Sequence, residues 1–109
     1  MVREPLIVTW APGAEDDLDA LEAAGRGLAD LGLEAVSDVA NRHKTGKELG
    51  QRNVSGDLTG LRRVRFDLEG HRPERFRLVY RLIGTDGMEV VGLGERASHA
   101  VYRHVLGRL

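Results

Sequence analysis

Residues 62–83 read RRVRFDLEGHRPERFRLVYRLI, and this stretch decides the fold. In 62–68, Val64, Phe66 and Leu68 alternate with Arg63, Arg65 and Asp67. In 75–83, Phe76, Leu78, Tyr80 and Leu82 alternate with Arg77, Val79 and Arg81. A strand sends successive side chains to opposite faces, so this period of two separates an apolar face from a basic one. Gly70-His71-Arg72-Pro73 between the runs is turn chemistry and implies antiparallel pairing. Residues 88–93 (MEVVGL), beyond the turn Thr85-Asp86-Gly87, give a third strand of the same meander.

Working outward, residues 5–10 (PLIVTW) are a short strand stopped by Ala11-Pro12-Gly13. Glu15, Asp16 and Asp17 suit the first turn of a helix, and Leu18, Leu21 and Ala24 follow at helical spacing, which predicts a helix near 13–23. A second helix is expected over 26–44, with Leu28, Leu31, Ala35, Val36, Val39 and Ala40 inward. Gly32 costs it about 1 kcal/mol relative to Ala. Thr45 to Gly60, rich in Gly, Lys, Asn and Ser, reads as a connection. Ser98 to Leu109 reads as a last helix, with Val101, Val105 and Leu109 inward. The order β-α-α-β-β-β-α predicts one α+β domain over residues 1–109. Its antiparallel sheet carries the two N-terminal helices on one face, over Val64, Phe66, Leu78 and Tyr80, and a short C-terminal helix. The other face presents Arg63, Arg65, Arg77 and Arg81.

Composition narrows the function. There is no Cys, which excludes disulfides and Cys-ligated zinc. The start Met1-Val2-Arg3-Glu4-Pro5 lacks the apolar run of a signal peptide, and no stretch reaches membrane-spanning length, so a cytoplasmic protein is expected. Asn53-Val54-Ser55 is a glycosylation sequon without such a context. The net charge of −1 hides a split: residues 1–60 hold 6 cations and 11 acids, residues 61–109 hold 10 cations and 6 acids, and all ten are Arg. An Arg-only basic half suits bidentate contact with phosphate, although a genome biased toward Arg codons yields the same composition. Gly92-Leu93-Gly94-Glu95-Arg96-Ala97 matches a dinucleotide fingerprint, but the chain ends twelve residues later, too soon for its βαβ unit. His99 and His104 are five apart, the wrong spacing for one helical face, so no metal site and no cofactor are expected.

Arg75-Phe76-Arg77-Leu78-Val79-Tyr80 resembles the R-[LV]-V-Y strand of the RelE/ParE superfamily of bacterial toxins. Leu93-Gly94-Glu95-Arg96, with Val101-Tyr102 following, is similar to that family's ending, and Leu58-Thr59-Gly60-Leu61 to the segment entering its second strand. The resemblance implies a toxin neutralised by a cognate antitoxin protein. One branch comprises ribosome-dependent mRNA endonucleases, which inhibit translation and whose partner is mRNA on the ribosome. A second comprises DNA gyrase inhibitors with no RNA chemistry, and a member that only binds protein or RNA is a third reading. By motif position it implies Arg63 and Arg65 as the paired cations of the second strand and Arg77, Arg96 and Tyr102 as catalytic; Arg81, placed on the same basic face by the alternation, is expected as a further phosphate contact. RNA cleavage needs a base for the 2′-OH, positive charge on the phosphate and an acid for the leaving oxygen. Relatives often carry lysines where this chain has Arg63 and Arg65, and Arg does not deprotonate. His99, one helical turn from both Arg96 and Tyr102, is therefore expected as the proton carrier.

Overall fold

The computed structural model describes residues 3–52 and 56–109; the sequon Asn53-Val54-Ser55 lies outside the described residues. Strand β1 (Ile7–Trp10) leads to helices α1 (Asp16–Ala24) and α2 (Leu28–Ala40). Strands β2 (Lys47–Arg52), β3 (Gly56–Phe66), β4 (Phe76–Ile83) and β5 (Gly87–Glu95) follow, then a 3-10 turn (Ala97–His99) and helix α3 (Ala100–Leu106). The alternating runs of the sequence are β3 and β4, which pair antiparallel with Val64 opposite Leu78 and Phe66 opposite Phe76. They sit in a five-stranded sheet of order β1-β5-β4-β3-β2. Val64, Phe66, Leu78 and Tyr80 are buried beneath α1 and α2 with Leu21, Leu28, Val36 and Val39, as the α+β reading requires.

Three features differ from expectation. The sheet is mixed, because β1 runs parallel to β5, with Ile7 opposite Gly87 and Trp10 opposite Val90. Alternation shows that a segment is a strand but not which way its neighbour runs. The connection 45–60 contains β2 and half of β3, which pair antiparallel with Lys47 opposite Arg63 and Leu58 opposite Gly50. The helices are shorter than expected, and Leu109 and Leu82 are exposed rather than inward.

The missed strands have a physical reason. The β3–β4 ladder begins at Arg62, so residues 56–61 pair with β2 alone and form a two-stranded arm. Leu58 and Leu61 are three apart and would face opposite sides of a regular strand. Both nevertheless join one cluster, because Gly60 between them adopts φ 89, a left-handed conformation open to glycine. The kink erases the period that marks a strand. A register shift at Val79/Tyr80 has a matching effect in β5, sending Val90 to the face under α1 and α2 and Val91 to the opposite one.

That opposite face holds a second, smaller core: Leu49, Leu58, Leu61, Val79 and Val91 lie under Val101, Tyr102 and Val105 of α3. The end of α3 is pinned by Arg108, whose Nη1 donates to Asp17 Oδ2 at 2.8 Å and to the Val91 carbonyl at 2.9 Å. Asp17 is buried and also accepts the Leu93 amide at 3.0 Å. A Cβ on Gly92 would stand 2.8 Å from Val105 and 3.0 Å from Arg108 Nη1, so glycine there admits the helix and its pin. The two glycines of the dinucleotide-like motif thus sit within β5 and serve packing. No helix among the described residues is long and apolar enough to cross a membrane.

Candidate functional site

Seven residues of α3 cannot cover the whole second face, and the uncovered part is basic. Arg65 and Arg77 are direct cross-strand partners, and the next residue in that row is Gly94 of β5. A residue without a side chain leaves room beside Arg77, and an open pocket of about 440 Å³ lies there. Arg65, Arg75, Arg77 and Arg96 line it together with Glu74 and Glu95, a surplus of two positive charges.

Arg77 is the most unusual of these. Only 6% of it is exposed. Its Nη1 donates to the Glu74 and Phe76 carbonyls at 2.8 and 2.9 Å, and its guanidinium also donates to the Tyr102 hydroxyl. Its Nε is enclosed and has no partner among the described residues. Burial pushes its pKa below the ordinary value; Tyr102 opposes that, and the repulsion of Arg65 and Arg63 adds to it. An Arg stays charged through such a shift. The result is a fixed, desolvated cation with a donor to spare, which is the chemistry of an anion seat.

The neighbours divide into engaged and unengaged groups. Arg75 donates from Nε and Nη2 to the enclosed Asp67 carboxylate at 2.8 and 2.9 Å. Together with the Arg75 and Leu68 amides, it holds that carboxyl well below the usual range. Arg65 and Arg96 make no ion pair among the described residues. Beyond Arg65 the basic surface continues into a second pocket, of about 270 Å³, lined by Lys44, Lys47, Arg63 and Arg65 and by no carboxylate. The rows Lys47·Arg63 and Arg65·Arg77 are two residues apart along β3, about 6.6 Å at strand rise.

The residues singled out from sequence fall into two groups. Arg65, Arg77 and Arg96 converge on one pocket, and Arg63 adjoins it. Arg81 does not join them; it is held by Glu89, its cross-strand partner, at 2.7 Å. Tyr102 is 1% exposed and reaches the pocket only through its contact with Arg77. Arg96, His99 and Tyr102 do not share one helical face, because the helix is broken at His99, whose φ is 56. The His99 ring stays 6.2 Å from that of Tyr102, with its Nδ1 enclosed and unpartnered among the described residues. It does not line the pocket. Lys47 was missed with β2, the strand it opens, and Lys44 fell within the span expected as helix; the alternation of Lys47 with Leu49 was the available signal. No group of three or more potential ligands among the described residues could hold a metal ion.

No protein-family model matches the chain, and no curated protein does. Among solved structures, it is similar to a chain of the toxin–antitoxin complex RelBE2 from Mycobacterium tuberculosis. The TM-score is 0.59 and the identity 25%, over 85% of this chain and 93% of that one. The protein has a RelE-like toxin fold. On this RelE-like frame the basic pocket occupies the sheet face that α3 leaves bare, between β3, β4 and the end of β5.

Proposed function

We propose that this RelE-like protein is the toxin of a toxin–antitoxin pair and cleaves mRNA on the ribosome, in the cytoplasm. The observation that carries the reading is the enclosed Arg77 guanidinium, with Nε unpartnered, in a wall shared with Arg65 and Arg96. A phosphodiester entering the pocket gains charge in its pentavalent state, and fixed guanidiniums favour that state over the ground state. Tyr102 acts from behind, orienting Arg77 by its hydrogen bond. Arg63, with Lys47, takes the adjacent phosphate of the strand. The antitoxin is a protein that covers this surface, a reading supported by a similar chain coming from a complex with one.

A gyrase inhibitor is the second reading, favoured by one observation: neither His99 nor Tyr102 lines the pocket. The two separate on induction in a bacterium, with mRNA 5′ ends mapped and gyrase supercoiling assayed alongside. The nuclease reading expects new 5′ ends within coding regions, lost with Arg77→Ala by roughly 10²–10³-fold. Inhibited supercoiling with intact mRNA overturns it.

A further inference from the structure

A phosphate seat is half of a ribonuclease; the 2′-hydroxyl still has to lose its proton. Guanidiniums do not accept one, and His99 lies outside the pocket while Tyr102 is sealed under α3. The groups lining the pocket that can accept a proton are Glu74 and Glu95. Glu74 is turned to Arg72, with its Oε2 3.4 Å from Nη1. Glu95 is the last residue of β5, directly before Arg96. Its carboxylate makes no hydrogen bond or ion pair among the described residues, and it lines the pocket with Arg65, Arg75, Arg77 and Arg96.

Resting on the nuclease reading, we infer that Glu95 is the general base of the cleavage. A carboxylate that lines the same pocket as the guanidiniums stands near the anion they bind and can take a proton as the oxyanion forms. Glu95 removes the proton from the 2′-oxygen, whose electron pair forms the new bond to phosphorus. The bond from phosphorus to the 5′-oxygen breaks, and the departing oxygen takes a proton from water, which reaches the open pocket. The products are a 2′,3′-cyclic phosphate and a 5′-hydroxyl end. Glu95 returns its proton to solvent, and no further reactant is needed.

The inference has a sign that a merely electrostatic role lacks. A rim carboxylate that only repelled phosphate would, when neutralised, let RNA bind more tightly and cleave at least as fast. A base gives the opposite split. The test is single-turnover cleavage of a short defined mRNA on stalled ribosomes, with the protein's affinity for the same complexes measured beside it. Glu95→Gln is expected to bind equally or more tightly and to cleave roughly 10²–10⁴-fold more slowly. Glu95→Asp should recover part of the rate. The wild-type rate should fall as the pH is lowered, and the residual rate of the Gln variant should not. Cleavage by Glu95→Gln at the wild-type rate, with Arg77→Ala inactive, overturns the role of Glu95 and leaves the nuclease standing. A wild-type protein that binds but leaves the mRNA whole overturns both.

Discussion

The two faces of the sheet are built on opposite terms. Under α1 and α2, apolar side chains of β3, β4 and β5 meet two helices of 9 and 13 residues in one continuous core. Under α3, a helix of 7 residues covers five strand side chains and stops short of Arg63, Arg65 and Arg77. The first face is closed over hydrocarbon; the second stays part open because its cover is too short. The difference teaches that the site is made by incomplete packing: Arg77 is enclosed by the edge of a core that does not extend to satisfy it.

The comparison can be broken most severely at the residue that joins the two faces. Arg108→Ala should cost about 3 kcal/mol, since it removes the two side-chain hydrogen bonds that Arg108 gives the buried Asp17 carboxyl and leaves it only the Leu93 amide and His104. A urea midpoint within error of wild type would mean that the pin contributes nothing and that α3 is held by Val101, Tyr102 and Val105 alone. The contrast is sharpened by Arg77→Met, which replaces an enclosed, incompletely bonded cation by an apolar chain of similar length. It should raise stability by about 1 kcal/mol while abolishing cleavage; a lower melting temperature would show that Arg77 serves the fold and not the site. The smallest effect belongs to the turn beside the pocket. Asp67 titrates below its unfolded value of about 3.9, so its contribution is full above that pH and is lost as the pH falls further. Asp67→Asn should therefore flatten the acid end of the stability–pH curve, and an unchanged acid midpoint in circular dichroism would count against the Asp67–Arg75 clamp.

The first face was legible in the sequence because one period wrote it. Val64, Phe66, Leu78 and Tyr80 fall on regular strands, and Leu28, Val36 and Val39 on a regular helix. The second face was less so, because its members come from five separated stretches, and those in β3 and β5 break the strand period. Leu58 and Leu61 are an odd number apart across a left-handed Gly60, and Val91 follows the shift opposite Val79. The site was half legible for the same reason. Arg65 and Arg77 alternate with core residues and were read from that alternation together with a family resemblance. Lys47 lies on a strand hidden among glycines. Glu95 was passed over as part of a motif, since a carboxylate gains meaning only once the cations around it are known.

The arm formed by β2 and residues 56–61 shares no ladder with β4, and its apolar side chains Leu49 and Leu58 rest in the cluster capped by α3. Arm and helix are therefore expected to open together, with the Arg108–Asp17 pin as their tie to the main core. Amide exchange along the arm and along α3 should report a common free energy, below that of β4 and β5. The basic surface lies along the seam between this unit and the rest, so local opening is expected to change its shape.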